Sequence, residues 1–274
     1  MKLTDTHCHL YWNKFDGDRE AVIQRAVDAG VTRMLVPGVD GESSRQAIAL
    51  AEAHNEIYAA AGFHPTDLDK FSEEDFAQVK ELAGHPKVAA IGEIGLDHYW
   101  VKEEAKRERQ RELLRRQLAF AAEIGKPVII HMREEGDAWF GEASIQLLDI
   151  LTAWASELKA KDHSLAARPG VLHSFNGNLE TAQNAIAMGF FIGVTGPVTY
   201  KNAELKRNII SQLPITKLLI ETDSPFLAPA PRRGKRNEPA FVREIADKIA
   251  EITSRSKEEV AALTTENAAR LFLW

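Results

Sequence analysis

Short apolar segments alternate with longer amphipathic segments along this chain, and this alternation is the feature that most limits its fold. The longer segments between and after the apolar ones have helical periodicity and are predicted to be helices. Ser72, Asn178 and Ser256 are the predicted N-caps of three of them. The predicted helices are residues 21–29, 43–53, one beginning after Ser72, 102–124, 145–158, 179–188, 205–213, 239–254 and 257–271. The predicted strands are residues 1–6, 33–36, 57–61, 88–91, 128–130, 170–172, 190–194 and 217–220.

Eight strand–helix repeats with short apolar strands predict an α/β protein whose parallel sheet is covered on both faces. A closed (β/α)8 barrel, the TIM barrel, typically takes roughly 250 residues. The 274 residues of this chain fit one such domain, which we expect to span residues 1–274. A doubly wound open sheet is the alternative, and a glycine-rich phosphate-binding turn after the first strand would favour it. That turn instead carries His7 and His9, so we favour the barrel.

The two histidines behind the first strand are separated by one residue. In extended backbone, residues i and i+2 share a face, so His7 and His9 can bind one cation while Cys8 points away. Such a pair is not specific for a metal site by itself, because a single histidine at a strand end often has a structural role. Metal-binding residue types recur, however, at later predicted strand ends: His64, Glu93, His131, His173 and Asp223.

Barrel enzymes carry their chemistry at the carboxyl ends of the strands, so we expect these residues to form a metal site there. Imidazole and carboxylate ligands suit zinc, manganese, iron, nickel or cobalt. A carboxylate such as Glu93 can bridge two ions that lie about 3.5–4 Å apart. The alternative for Asp223 is a structural one, in which it caps the turn before Ser224 and Pro225.

The composition of the chain limits which binding partners and which cellular compartment we expect. The formal net charge of −6 excludes a global basic field, so any contact with nucleic acid requires a local basic patch. Cys8 is the only cysteine, which excludes an internal disulfide and a cysteine-rich zinc site. No apolar leader and no apolar run of the roughly 20 residues that span a bilayer is present. We therefore expect a reduced, cytoplasmic protein without membrane contact, and favour a monomer.

Motifs along the whole chain resemble those of the TatD-type metal-dependent deoxyribonucleases of the amidohydrolase superfamily. They are DTHCHL at 5–10, GFHP at 62–65, GEIGLD at 92–97, PVIIH at 127–131, HSFNG at 173–177, ETDSP at 221–225, RGKRNEP at 233–239 and NAARLF at 267–272. The resemblance implies a TIM barrel with two divalent ions, for which magnesium, manganese and zinc are all candidates. It also implies hydrolysis of DNA phosphodiesters, often by a 3′-to-5′ exonuclease acting on single strands or 3′ ends.

The same resemblance assigns roles to the site residues. His7, His9 and Asp223 would hold one ion, His131 and His173 the other, and Glu93 would bridge them. His64 matches a family residue near the scissile phosphate. In the expected mechanism a metal-bridged hydroxide attacks phosphorus in line, and Asp223 orients this nucleophile and accepts its proton.

Contacts to substrate phosphates are expected from His64, Arg133, Arg233 and Lys235, since a guanidinium can donate two parallel hydrogen bonds to an oxyanion. The alternative for the basic segment around Arg233, which also contains Arg232 and Arg236, is a solvated surface loop. Tyr99 and Trp100, behind the fourth strand, are predicted either to stack on a base or to pack within their loop.

The chain departs from the family pattern in three places. His98 stands where an aromatic residue is common and Ser174 where cysteine is common, and the segment between His131 and His173 is longer than usual. These changes leave the predicted metal ligands untouched, but the longer segment bears on substrate size and end preference.

Two other functions stay open at the level of the sequence. One is hydrolysis at a carbon centre, such as a lactone, an amide or a D-aminoacyl-tRNA ester. Many related barrels with that chemistry bridge their metals with a modified lysine on the fourth strand, whereas this chain has Glu93. The other alternative is a non-catalytic metal-binding or interaction protein, which the complete set of predicted metal ligands argues against. Release of nucleotides from DNA would separate a nuclease from the first alternative, and lack of turnover on any ester with every candidate metal would favour the second.

Overall fold

A computed structural model describes residues 1–274 and contains eight parallel strands in consecutive order around a barrel. The predicted (β/α)8 architecture is therefore confirmed. The strands are β1 Leu3–Asp5, β2 Val31–Pro37, β3 Ile57–Ala61, β4 Val88–Asp97, β5 Val128–Arg133, β6 Gly170–Leu172, β7 Phe191–Val194 and β8 Leu218–Ile220.

Helices follow every strand and form the outer layer. They are α1 Arg19–Asp28, α2 Gly41–Ala53, α3 Glu73–Leu82, α4 Glu104–Ile124, α5 Glu142–Ala160, α6 Leu179–Ala187, α7 Glu204–Ser211, α8 Val242–Thr253 and α9 Lys257–Phe272. Ser72, Asn178 and Ser256 each accept a hydrogen bond from the backbone amide three residues later, which confirms the predicted N-caps. None of the helices combines the length and apolar character needed to cross a membrane.

Strand β4 is longer than predicted. We expected it to end at residue 91, before the glycines, but its pairing with β5 continues from Ile94↔Ile130 to Asp97↔Arg133 after an irregularity in register. Gly95 makes this pairing possible, because a Cβ atom there would lie 1.9 Å from the carbonyl oxygen of His131. Glycine at this position marks the close approach of two backbones, and Glu93 consequently lies inside a strand.

The barrel closes where β1 meets β8. The backbone amide of Thr6 donates to the carbonyl of Ile220 (3.1 Å), and that of Asp223 donates to the carbonyl of His7 (2.8 Å). The amide of His9 donates to the carbonyl of Ser224 at 2.7 Å. This closure brings residues from opposite ends of the chain side by side.

The barrel interior has an apolar floor. One buried residue from each of β2 to β8 joins the end of α9 there: Leu35, Ala60, Ala90, Ile129, Val171, Phe191 and Leu219, with Ala268, Leu271 and Phe272. Side chains alternate between the two faces of a strand. The residues two positions after Ile129 and Val171, which are His131 and His173, therefore lie on the same interior face, closer to the carboxyl end.

Candidate metal centre

His7 and His9 project into the carboxyl end of the barrel from the end of β1. Their Nε2 atoms lie 3.2 Å apart, whereas the Cys8 thiol between them points away and donates to the carbonyl of Leu35 at 3.5 Å. Nε2 of His7 lies 3.3 Å from Oε2 of Glu93, and Nε2 of His9 lies 3.4 Å from Oδ1 of Asp223. Four potential ligand atoms thus converge, from the interior of β4 and from the segments that follow β1 and β8.

The spacing of these four atoms fits a divalent cation. The other two histidine–carboxylate pairs, His7 with Asp223 and His9 with Glu93, are each separated by 3.8 Å. Ligands bound at about 2.1 Å lie roughly 3.0 Å apart at adjacent corners of an octahedron and roughly 3.4 Å apart in a tetrahedron. The donor set has the size and the nitrogen–oxygen chemistry of a transition-metal site.

The two oxygens of Glu93 face different groups of histidines. Oε2 faces His7 and His9, while Oε1 lies 2.9 Å from Nδ1 of His131 and 3.5 Å from Nε2 of His64. A carboxylate that bridges two ions through both of its oxygens needs this division. The side chain of Glu93 is almost completely buried, so few water molecules can compete for it.

His131 and His173 are each held from behind by a carboxylate that the sequence reasoning missed. Nε2 of His131 lies 2.9 Å from Oδ2 of Asp97, and Nδ1 of His173 lies 2.9 Å from Oε2 of Glu221. Metal-binding histidines almost always donate their other ring N–H to such a partner, which fixes the tautomer and the ring orientation. The spacing within GEIGLD and ETDSP, with an acidic residue near each predicted ligand, is the only sequence signal for them.

The predicted pairing of His131 with His173 around a second ion stays a prediction. The compact sets of three potential ligands are His7 with His9 and Asp223, His64 with Glu93 and His131, and His7 with His173 and Glu221. The imidazole of His173 stacks on that of His7 with 3.3 Å between ring centroids, and its Nε2 lies 3.7 Å from Oδ1 of Asp223. His64 joins the cluster through Glu93.

Burial and neighbouring charges shift the pKa values of His7, Glu93 and Asp223 within the cluster. Burial, reinforced by the nearby imidazole of His173, lowers the pKa of His7 to about 4. Burial disfavours the ionised form of Glu93, yet the charges of His7 and His64 outweigh this and hold the pKa of Glu93 well below its usual range. The pKa of Asp223 is likewise lowered, because hydrogen bonding from His9 and the charge of His173 outweigh burial. Two ionised carboxylates and a neutral imidazole are the forms that bind cations.

Asp5 and Thr222 build the turn that places Asp223. The buried Asp5 carboxylate accepts hydrogen bonds from the backbone amide and the hydroxyl of Thr222, at 2.9 and 2.5 Å. Asp223 itself has a φ of 55°, a left-handed conformation that is uncommon for a residue other than glycine. Contacts on both sides of the turn therefore fix the direction of the Asp223 carboxylate.

The predicted substrate-binding residues differ in whether their charged groups already form ion pairs within the protein. Arg133 pairs with Asp137 (2.7 Å) and covers the ring of Tyr99, whereas the guanidinium of Arg233 stacks at 4.5 Å on the ring of Tyr200. Neither Arg233 nor Lys235 forms an ion pair. The neighbouring cations are engaged: Arg232 with Glu244, and Arg236 with Asp18 and Glu238.

Comparison with known proteins gives matches over almost the whole chain. The profile of the family described as TatD-related DNase matches residues 4–273. A Bacillus subtilis (strain 168) protein named uncharacterized metal-dependent hydrolase YabD is 42% identical over 270 residues, which cover 98% of each chain. An Erwinia tasmaniensis protein named 3′-5′ ssDNA/RNA exonuclease TatD is 35% identical over 274 residues, again 98% of each chain. The crystal structure of YjjV, a TatD homologue from Escherichia coli K12, superposes with a TM-score of 0.87 at 34% identity, covering 99% of this chain and 98% of that one.

Proposed function

Because the chain belongs to the TatD-related DNase family of metal-dependent hydrolases, we propose that it hydrolyses phosphodiester bonds of single-stranded DNA from the 3′ end. The observation that carries the proposal is the convergence of His7, His9, Glu93 and Asp223 at the carboxyl end of the barrel. The two histidine Nε2 atoms lie 3.2 Å from each other and 3.3–3.8 Å from Oε2 of Glu93 and Oδ1 of Asp223. The exonuclease name of the Erwinia relative supports the choice of substrate and end.

The proposed cofactors are two divalent ions, with magnesium, manganese and zinc as candidates. His7, His9 and Asp223 would hold one ion, His131 and His173 the other, and Glu93 would contact both. Bound ions of this kind supply a water nucleophile at neutral pH and stabilise negative charge on the phosphate oxygens.

The proposed role of Asp223 is to orient the attacking water and accept its proton. Its lowered pKa keeps it ionised, so it is available as a hydrogen-bond acceptor throughout the neutral range. Its Oδ1 faces His9 and His173, which places the acceptor between the groups that would hold the two ions.

His64 is suited to donate a hydrogen bond to the phosphate. Its Nδ1 accepts from the backbone amide of Thr66 (3.2 Å) and lies 2.6 Å from the Thr66 hydroxyl. In the neutral imidazole the proton is then on Nε2, the atom that faces the cluster. Arg133, Arg233 and Lys235 are proposed to contact the remaining phosphates, and the last two need not break an ion pair to do so.

The experiment is a reconstitution on end-labelled DNA. Metal-free protein is loaded singly with magnesium, manganese or zinc and incubated with 3′-labelled or 5′-labelled single strands. Release of a labelled mononucleotide at once from the 3′-labelled strand, with progressive shortening of the 5′-labelled strand, is expected. The reverse pattern would overturn the end preference, and intact DNA with every metal would overturn the nuclease proposal. Glu93→Gln, purified identically, controls for contaminating nucleases.

A further inference from the structure

Trp100 exposes its indole in the loop after β4, at the end of the barrel that holds the candidate metal centre. It follows β4 and is 66% exposed, whereas the other four tryptophans are buried or partly buried. Its backbone is nevertheless anchored, because the amide of Trp100 donates to Oδ1 of Asp97 at 2.7 Å. Because the backbone is already anchored, a partner can bind the exposed ring without the cost of first ordering the loop.

Three hydrogen bonds in sequence connect Trp100 to the proposed bridging carboxylate. The amide of Trp100 reaches Oδ1 of Asp97, the other oxygen of Asp97 lies 2.9 Å from Nε2 of His131, and Nδ1 of His131 lies 2.9 Å from Oε1 of Glu93. The exposed indole is therefore carried by the same structural unit that orients His131. A group stacked on this ring would lie at the carboxyl end of the barrel, the end that holds the candidate metal centre.

The residues around Trp100 supply a cation and leave its ring free. The ring of Tyr99 meets that of Trp100 edge to face, with 4.9 Å between centroids, and the guanidinium of Arg133 lies 3.7 Å from the Tyr99 centroid. Arg133 thus covers Tyr99, while it stays 5.8 Å from the ring of Trp100. The sequence predicted that Tyr99 and Trp100 either stack on a base or pack within their loop. Tyr99 packs within the loop, whereas the ring of Trp100 remains accessible for stacking.

We propose that Trp100 is a stacking platform for an unpaired nucleobase of the substrate strand, with Arg133 contacting an adjoining phosphate; this rests on the proposed nuclease function. Every base presents an aromatic face, so such a platform accepts any sequence. A base inside a duplex already stacks on its neighbours and must be unstacked before it can reach the indole. The platform therefore selects single strands over duplexes.

Binding of uncleaved DNA tests the platform directly. With EDTA present, the affinities for a fluorescent oligothymidylate and for an abasic strand of equal length and charge are measured by anisotropy. The wild type is expected to bind the thymidylate about tenfold more tightly than the abasic strand, the gain of one stacked base. Trp100→Ala removes this preference and Trp100→Phe keeps most of it. Phe140→Ala, which removes a 47% exposed ring from the next strand's loop, serves as the matched control and leaves the preference intact.

Turnover provides the second readout. Trp100→Ala is expected to raise KM for single-stranded DNA about tenfold with kcat nearly unchanged, and to leave kcat/KM for the abasic strand at the wild-type value. A variant that matches Phe140→Ala in both base preference and KM would overturn the platform while leaving the nuclease proposal standing. A wild type that binds thymidylate and abasic strands equally would also overturn it. A wild type that cleaves no DNA with any metal would instead overturn the proposed function.

Discussion

Replacing Asp97 with asparagine should weaken metal binding without removing any proposed ligand. The Asp97 carboxylate accepts from the backbone amide of Trp100 at 2.7 Å and lies 2.9 Å from Nε2 of His131. An acceptor behind Nε2 keeps the imidazole proton there and leaves the Nδ1 lone pair, which faces Glu93, free for a cation. An asparagine side chain has one acceptor oxygen for these two donors, and its amide group favours the opposite tautomer of His131.

The size of the effect follows from the role of such supporting contacts. Loss of a hydrogen-bond partner behind a metal-binding histidine typically costs about 10–100-fold in metal affinity, or roughly 1.4–2.7 kcal/mol. We expect Asp97→Asn to raise the Kd for manganese or zinc by this factor, as measured by isothermal titration of the metal-free protein. Because the ligands themselves remain, activity on single-stranded DNA should recover to within a few-fold of wild type at saturating metal.

Asp137→Asn is the matched control for this experiment. Asp137 lies in the loop after β5 and pairs with Arg133, but it contacts no imidazole. The control is therefore expected to keep the wild-type metal affinity. An unchanged affinity in Asp97→Asn as well would refute the reasoning, since it would mean that the tautomer of His131 does not depend on Asp97 or that His131 does not bind metal.

Three further changes test other parts of the molecule. Glu93→Gln should lower both bound metal, measured by elemental analysis, and turnover, because a neutral amide compensates two cations poorly. Arg233→Ala combined with Lys235→Ala should raise KM with kcat nearly unchanged, and should reduce the slope of log affinity against log salt by about 0.7 per lost phosphate contact. Burial lowers the pKa of Lys206 to about 8 from the 10.5 of an exposed lysine, so the unfolded chain binds more protons than the folded protein between these values. Relative to Lys206→Met, the wild type should therefore gain stability as pH rises, on the order of 2 kcal/mol between pH 7 and pH 10 in urea unfolding.

Each of these expectations has an outcome that contradicts it. Full metal occupancy with normal turnover in Glu93→Gln would exclude a bridging role, and Glu73→Gln on an exposed helix controls for loss of charge. Arg115→Ala with Lys159→Ala removes the same charge from helices α4 and α5 instead, so an equal change in salt slope would assign the effect to net charge alone. A stability difference between wild type and Lys206→Met that does not vary with pH would show that the lysine has an ordinary pKa in the fold.

The order of the elements could be predicted from local signals because each strand is an apolar run, each helix has a periodic face, and α2, α3, α6 and α9 also begin at a side-chain N-cap. Strands at Ile57–Ala61 and Gly170–Leu172 match their predicted bounds. Local signals did not predict the length of β4, since glycine usually ends or weakens a strand. At Gly95 the glycine instead admits the backbone of His131, and that neighbour is far away in sequence.

Glu221 and Asp223 make different contacts in the site, and this difference could not be predicted from the sequence. The two carboxylates are two residues apart, and regular alternation would place both on one face with equal claims to a metal. In the structure they contact opposite edges of one imidazole: Glu221 lies 2.9 Å from Nδ1 of His173, and Asp223 lies 3.7 Å from Nε2. Asp223 reaches its position through a left-handed φ of 55° and a hydrogen bond from its amide to the carbonyl of His7. That bond exists only once the last strand has closed against the first. Residue type can therefore identify both acids as candidate site residues, but barrel closure decides which edge of the His173 imidazole each of them contacts.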